Sequence, residues 1–296
     1  MSNVRRCGRF LVPLGLLALA GCTSLFQPPT LVTADQPALP GKKQIRIGQF
    51  MILTDADLNR DHPLFKSLEG LQEQICKELR LPAATNTVYI FLFADRQKYD
   101  QYMHAYFQSL PSRRAFFMAR TDERRGDELV VYTYWGDRVQ EDLRHELTHA
   151  TLHSVLKDVP MWLDEGLAEY FEVPPDWQGI NYRHLAGLRT EPGVPWLPSL
   201  KRLEQFAQVK DMSPADYRES WAWVHFMLHH SPETKSALLQ YLQQLRATKT
   251  PGSLEPQLMA MLPTLDSALR DHVAKLESAT RNMPAAVTKV TNDETR

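Results

Sequence analysis

The sequence predicts an α+β fold, in which a mixed β-sheet precedes a mainly α-helical second half of the chain. Short apolar runs over 87–93 and 128–135 are rich in β-branched and aromatic residues, as expected of buried strands. Other segments carry apolar residues at every third or fourth position, which is typical of amphipathic helices. Four segments beyond residue 199 share this helical spacing. We therefore expect one domain over residues 43–278, with the sheet first and the helices after it.

The predicted elements follow in order along the chain. The first five are a strand, a helix, a strand, a helix and a strand, over 45–54, 63–79, 87–93, 96–106 and 128–135. Two helices come next, over 138–156 and 161–171, where Pro160 can open the second and Pro174 ends it. Residues 181–197 have no period, which indicates an irregular crossing beside a cleft. The last predicted helices cover 200–209, 214–230, 232–247 and 254–276, before a polar, disordered tail over 279–296.

Residues 1–21 have the build of a bacterial export signal. Arginines among the first nine residues precede an apolar run over 10–20 that is too short to span a bilayer. The run ends in Leu-Ala-Gly-Cys at Cys22, which resembles the lipobox of bacterial lipoproteins. We expect lipid on Cys22 and a proline-rich tether over 22–42. Because Thr23 follows, and not aspartate, the resemblance implies the periplasmic side of the outer membrane in a cell with two membranes.

Charge and cysteine content narrow the class of protein. The formal net charge is −1, and removal of the signal takes away three arginines and no acid, which leaves −4. Without a basic surplus to attract polyanions, we expect no nucleic-acid partner. Cys7 leaves with the signal and Cys22 would carry lipid, so Cys76 has no partner for an intrachain disulfide.

His145 and His149 bracket an H-E-x-x-H sequence, H-E-L-T-H, inside the predicted helix 138–156. Residues four apart share one helical face, so both imidazoles can bind one ion. A zinc ion held by neutral histidines keeps an open position and lowers the pKa of a bound water to about 7. Glu146 can take the proton from that water and pass it to a leaving amine. Uncharged neighbours suit burial of this helix, while Arg144 is free to face solvent.

A second segment, W-L-D-E-G-L-A-E-Y over 162–170, offers the third protein ligand that a catalytic zinc needs. Fifteen residues separate His149 from Glu165, enough for the chain to turn back between two helices. Gly166 would let this helix approach the metal helix closely. Glu169 falls one turn beyond Glu165 on the same face and could accept the second ring N–H of a ligand histidine.

Two neighbouring side chains are weaker ligand candidates. His153 lies on the metal face, but eight residues of helix separate it from His145 by about 12 Å, too far to share one ion. We expect it in the core or beside a ligand. Asp164 adjoins Glu165 but points about 100° away from it around the helix axis. On the H-E-x-x-H sequence alone, a metal-free helix with two buried histidines and a solvent-exposed glutamate stays an alternative.

Together, the two segments resemble the gluzincin superfamily of zinc metallopeptidases, and in particular a minimal branch of peptidase-like bacterial envelope lipoproteins. The resemblance extends over about residues 44–230 and is most specific over 145–170. It implies these roles: His145, His149 and Glu165 as Zn²⁺ ligands, Glu146 as general base, and Glu169 beside a ligand. It also implies a zincin-like fold, in which metal-binding helices follow the sheet and an edge strand holds the substrate backbone. We expect 128–135 to be that edge strand.

Gluzincins also use a Tyr or His that donates a hydrogen bond to the oxyanion formed on the substrate. The segment D-Y-R-E-S-W-A-W-V-H-F over 216–226 resembles the helix that follows the metal site in this branch. Tyr217 is therefore the first candidate for this catalytic role, His225 the second and Tyr182 the third. A packing role for Tyr217 and His225 is an equal alternative.

The sequence thus predicts a lipid-anchored zinc peptidase of the bacterial cell envelope. Its expected partners are a peptide or protein substrate and the membrane, through the N-terminal lipid. One alternative is a non-hydrolytic zinc-binding chaperone or assembly factor of the envelope, although such a protein needs no base at Glu146. Another is an amidase that acts on cell-wall peptides by the same mechanism.

Overall fold

A mixed five-stranded sheet forms the first half of the described chain. The computed structural model describes residues 37–122, 126–188, 196–248 and 252–280. Its strands are β1 (Lys43–Ile47), β2 (Phe50–Thr54), β3 (Val88–Phe93), β4 (Ala115–Asp122) and β5 (Gly126–Tyr134). The spatial order is β1-β2-β3-β5-β4, with β2, β3 and β5 parallel and the two outer strands antiparallel to their neighbours. The α+β prediction is confirmed.

Helices surround the sheet and make up the second half. They are α1 (Pro63–Glu69), α2 (Leu71–Leu79), α3 (Arg96–Tyr106), α4 (Val139–Val155), α5 (Met161–Phe171), α6 (Tyr182–Gly187), α7 (Leu200–Leu203), α8 (Pro214–His229), α9 (Pro232–Ala247), α10 (Glu255–Met261) and α11 (Leu265–Thr280). None of these described helices has the length and apolar character needed to cross a bilayer. The predicted signal 1–21 and Cys22 lie outside the described residues, as do tether residues 22–36 and tail residues 281–296.

The two faces of the sheet are covered differently. One face packs on α1, α2 and α4 in a large apolar core that continues into α5, α8 and α9. The other face carries a smaller, aromatic cluster with α3, in which Phe91 stacks on Tyr132. Helix α3 begins at Asp95, whose side chain accepts a hydrogen bond from the backbone N–H of Lys98. The large core therefore fixes α4 and α5 against the sheet.

Several predicted elements are divided in the structure. The strand 45–54 is a β1–β2 hairpin that turns at Gly48, whose φ of +54° is unfavourable for other residues. The helix 63–79 is broken at Gly70 into α1 and α2. The helix 254–276 is likewise two helices, and only 200–203 of the helix 200–209 is α-helical. Part of the irregular crossing 181–197 is the helix α6, and residues 189–195 lie outside the described residues.

The edge strand was assigned wrongly from the sequence. Strand β5, which matches the predicted 128–135, pairs with β3 on one side and β4 on the other, so it is an interior strand. Its Val130 and Val131 are buried accordingly. The edge next to α4 is β4, an element that the sequence did not predict although Phe116, Phe117 and Met118 form an apolar run.

Arg144 lies inside the protein and not on the surface as expected. The side chain is 1% exposed, and burial lowers its pKa to about 10. Its guanidinium donates to the backbone carbonyls of Phe171 and Ser67 and to the side chain of Gln74. It therefore joins α4 to the end of α5 and to α1 and α2, because these groups need a donor once they are buried.

Gly166 governs the packing of α5 against α8, and not against α4 as the sequence analysis expected. A Cβ at this position would lie 2.6 Å from the carbonyl oxygen of Ser220 and 2.9 Å from Cγ2 of Val224. The helices can approach this closely only without a side chain at residue 166.

We expect Gly166→Ala to lower the free energy of unfolding by about 2 kcal/mol, because the added methyl group overpacks the α5–α8 contact. Urea denaturation followed by circular dichroism measures the change. Gly70→Ala is the matched control, since a Cβ there meets nothing within 4 Å. Equal stability of the two variants would contradict the packing argument.

Candidate metal centre

Helices α4 and α5 bring three predicted ligands together. His145 and His149 lie one turn apart on α4, and Glu165 lies on α5, which begins after Pro160 and packs against α4. The chain turns between them at 156–160. His149 and Glu165 are buried, at 7% and 3% exposure. The two helices thus hold the three side chains in the interior next to a cleft.

The three side chains meet at one point. Nε2 of His149 lies 3.2 Å from Nε2 of His145, and Oε2 of Glu165 lies 3.5 Å and 3.7 Å from the nitrogens of His145 and His149. Ligands of a tetrahedral zinc at about 2.0–2.1 Å are about 3.3 Å from one another. Oε2 of Glu165 is buried and has no hydrogen-bond partner among the described residues. The donor set and its spacing fit a divalent metal ion.

Carboxylates orient both imidazoles through their other nitrogens. Nδ1 of His145 lies 3.0 Å from Oε2 of Glu172, and Nδ1 of His149 lies 3.0 Å from Oδ1 of Asp164. The first contact is a hydrogen bond, and the second is an ion-pair contact without hydrogen-bond geometry. Carboxylates in such positions favour imidazoles whose Nε2 faces a metal. The sequence analysis gave this role to Glu169, but in the structure Glu172 contacts His145. Asp164, a weak ligand candidate in the sequence, is the partner of His149.

Glu169 has a different contact. Its Oε2 lies 2.6 Å from Nε2 of His184, a residue of α6 that lines the cleft. Asn181 donates to Oε1 of Glu172 at 2.8 Å and holds that carboxylate beside His145. Sequence reasoning missed Glu172 because it lies at the C-cap of α5, beyond the segment with the specific motif.

The nearby carboxylates favour positive charge at the point where His145, His149 and Glu165 converge. Burial by itself lowers the pKa of His149, but Asp164 and Glu165 outweigh it and raise the pKa to about 10. The pKa of His145 is also raised well above its ordinary value, since Glu165 and Glu172 outweigh burial. The pKa of Glu165 is lowered to about 2, because the two imidazoles outweigh burial. A divalent cation bound between these side chains would likewise supply the positive charge that the carboxylates stabilise.

Among the residues that the structure describes, two other groups of side chains could hold an ion, and both overlap the first. One is His149, His153 and Asp164, and the other is His145, Glu169 and Glu172. In the first of these, Oδ2 of Asp164 lies 2.9 Å from Nε2 of His153, so the carboxylate connects two histidines. His153 is thus connected through Asp164 to His149. The group with Glu165 is favoured because Glu165 Oε2 has no other partner and Glu146 is adjacent.

Glu146 is positioned to act on a molecule in the cleft. It lines the cleft next to His145, and its carboxylate accepts a hydrogen bond from the backbone N–H of Phe117 in β4. Burial raises the pKa of Glu146, and the two nearby imidazoles oppose this only in part. A carboxylate with a raised pKa is a better proton acceptor than an ordinary one.

The cleft has a volume of about 580 Å³ and runs along the start of β4, α6 and the start of α8. Tyr217, the first oxyanion candidate, lies in its wall. The phenol oxygen of Tyr217 accepts a hydrogen bond of 3.0 Å from Nη2 of Arg113. Since arginine can only donate, the hydroxyl hydrogen of Tyr217 is left to donate to another group.

The other two oxyanion candidates do not line this cleft. Tyr182 is buried, and its ring packs on Trp177. His225 is 3% exposed, and its Nδ1 lies 2.9 Å from Nε2 of His272 on α11. The structure places His225 in the α8–α11 contact and not in the wall of this cleft, which gives no support to its predicted role as an oxyanion donor.

His225 belongs to a histidine cluster in which His225 is buried, His272 is half-buried and His229 is exposed. His229 stacks on it with ring centroids 4.4 Å apart, and Tyr170 of α5 contacts both rings. Burial, reinforced by His229 and His272, lowers the pKa of His225 to about 2. Burial, together with His230 and His229, lowers the pKa of His272 to about 4. The imidazoles of His225 and His272 are therefore neutral in the folded protein at pH 5, whereas histidine in the unfolded chain has a pKa near 6.5.

Acid is therefore expected to destabilise the protein through His272. The unfolded state binds a proton below about pH 6.5 and the folded state does not, so this stability is lost as the pH falls. We expect His272→Gln to remove about 1–2 kcal/mol of the loss in unfolding free energy between pH 6.5 and pH 5. Urea denaturation at both pH values measures it. The exposed His104→Gln serves as control, and an unchanged pH dependence in His272→Gln would refute the explanation.

Comparison with known proteins adds one family match. Residues 139–252 match the model of a family described as a protein of unknown function, DUF1570. The match begins at the first residue of α4 and continues beyond α9, so it includes both helices of the candidate metal centre. No curated protein matches the chain.

Proposed function

We propose that this protein is a zinc-dependent peptidase that hydrolyses peptide bonds in a peptide or protein substrate. The observation that carries the proposal is the convergence of His145, His149 and Glu165 beside Glu146 at the wall of a cleft. Two imidazoles and one carboxylate are a common ligand set of catalytic zinc, which keeps a further position open. The buried, unpartnered Oε2 of Glu165 supports a bound ion.

Zinc in such a site acts as a Lewis acid and makes a water reactive at neutral pH. Glu146 would take a proton from the attacking water, because its carboxylate lines the cleft beside His145 and has a raised pKa. The oxygen of that water adds to the substrate carbonyl carbon, and the C–N bond to the amine then breaks. The same carboxyl group then passes the proton to the leaving amine. The hydroxyl of Tyr217, held by Arg113, donates to the oxyanion that develops on the substrate carbonyl.

Strand β4 is the proposed binding element for the substrate backbone. It lies at the edge of the sheet, and its first residue lines the cleft. An extended peptide can add to such an edge by main-chain hydrogen bonds. We further propose, from the lipobox-like residues that end at Cys22, that the protein is lipid-anchored in the bacterial envelope.

Hydrolysis of a mixture of quenched fluorescent peptides by the purified protein tests the function. We expect cleavage that stops with 1,10-phenanthroline and returns with added zinc. Mass spectrometry of the products distinguishes cleavage of peptide bonds from cleavage of cell-wall amides supplied in parallel. Zinc binding without hydrolysis of either substrate would favour a non-hydrolytic envelope protein.

A further inference from the structure

Two carboxylates, those of Glu141 and Asp142, bind three of the arginines that line the cleft. Arg114 pairs with Asp142 at 2.7 Å, and Arg183 pairs with Glu141 at 2.7 Å. Arg138 also bonds to Glu141. The two carboxylates thus hold the three guanidinium groups within the protein, which limits their availability to a ligand.

Two further arginines of the cleft, Arg113 and Arg218, have no acidic ion-pair partner among the residues that the structure describes. Arg113 donates to the hydroxyl of Tyr217, and Arg218 is the next residue along α8. Both side chains line the same cleft as Glu146. Arg113 and Arg218 are therefore the cleft arginines without a bonded carboxylate among the described residues, and both lie beside Tyr217.

Arg218 is held in place by close packing on α6. A Cβ on Gly187 would lie 2.5 Å from Cδ and 2.9 Å from Nε of Arg218. The side chain can lie across the end of α6 only because residue 187 is glycine. Arg218 is half-buried there and lines the cleft wall.

We infer that Arg113 and Arg218 form a subsite for a carboxylate of the substrate, so that the peptidase prefers anionic peptides. The inference rests on the proposed function and specifies its substrate class. Guanidinium groups bind carboxylates through paired, charge-assisted hydrogen bonds. In a peptide, this carboxylate is either an Asp or Glu side chain or the C-terminal carboxylate. The first gives an endopeptidase selective for acidic residues, and the second gives a carboxypeptidase.

Peptide binding to the Glu146→Gln protein, supplied with one equivalent of zinc, tests the subsite without hydrolysis. Fluorescence anisotropy gives the Kd of three peptides of one length. One is neutral with an amidated C-terminus, one carries a single Glu, and one has a free C-terminal carboxylate. We expect one of the two anionic peptides to bind about tenfold tighter than the neutral one. Which of them binds tighter identifies the source of the carboxylate.

Two substitutions added to the Glu146→Gln protein distinguish the effect of a positioned Arg218 guanidinium from the effect of general positive charge. Arg218→Gln is expected to reduce the tenfold preference to about twofold or less, and Gly187→Ala to weaken it by displacing Arg218 with no change of charge. Arg46→Gln, which removes an exposed arginine from β1 at the far edge of the sheet, should leave the preference intact.

The outcomes distinguish this inference from the function itself. Equal affinity for all three peptides, or an undiminished preference in Arg218→Gln, would overturn the subsite. Hydrolysis by the unsubstituted protein is measured on the same peptides. If it cleaves neutral and anionic peptides at equal rates, the peptidase stands and the subsite falls. If it cleaves no peptide and binds none, both fall.

Discussion

Replacement of Glu146 by glutamine is expected to lower kcat/KM for peptide hydrolysis by about a thousandfold while the protein keeps its zinc. Glutamine has nearly the same shape but cannot accept the proton. The carboxylate of Glu146 is not among the three groups whose ligand atoms converge, those of His145, His149 and Glu165, so its loss should leave the candidate metal centre intact. Rates with a quenched peptide, and metal content from the same preparation, provide the two measurements.

The control for this variant is Glu73→Gln, an equivalent change at an exposed site on α2. It should retain the full rate. A Glu146→Gln protein that binds zinc and hydrolyses peptides as fast as the unsubstituted protein would remove the proposed base from the mechanism.

Replacement of Glu165 by alanine is expected to weaken zinc binding by at least about a hundredfold, because roughly 3 kcal/mol of a typical zinc affinity is lost with each ligand. Loss of Glu172, which contacts Nδ1 of His145, is expected to cost about tenfold. Competition with a chromogenic chelator measures both affinities. The order of effects should be Glu165→Ala, then Glu172→Ala, and last Glu169→Ala.

Glu169→Ala is the matched control, since its carboxylate contacts His184 and not Nδ1 of a candidate ligand. An equal loss of affinity in Glu169→Ala and Glu172→Ala would mean that the two carboxylates share the role. A Glu165→Ala protein with unchanged zinc affinity would show that the ligand set is wrong.

The sequence was sufficient to predict the local part of the candidate site. The spacing of His145 and His149 follows from the period of one helix, and both ends of α5 were predicted correctly because Pro160 and Pro174 flank it. The prediction that His145 and His149 lie beside Glu165 needed only one further assumption, namely that the chain turns back between two adjacent helices. Helix periodicity and the positions of proline are local signals, so they can be interpreted without knowledge of the tertiary structure.

The other features of the fold and of the candidate site depend on contacts between segments that are far apart in the sequence, so the sequence did not predict them. Glu169 and Glu172 are three residues apart at the end of α5, and the rotation of α5 against α4 decides which of them reaches His145. Arg144 is buried because three distant acceptors surround it, and the sequence gives no sign of them. His225 lies on the same helix as Tyr217, which lines the cleft, but the side chain of His225 contacts α11 instead. The edge position of β4 likewise follows from strand order, which the sequence does not state.

Metal analysis of the purified protein tests the central claim most directly. Inductively coupled plasma mass spectrometry on protein prepared without chelators should find one zinc per chain, and none in the His145→Ala, Glu165→Ala double variant. X-ray absorption should show nitrogen and oxygen neighbours at about 2.0–2.1 Å. A metal-free protein from zinc-supplemented cells, or a double variant that retains its zinc, would contradict a metal centre formed by His145, His149 and Glu165.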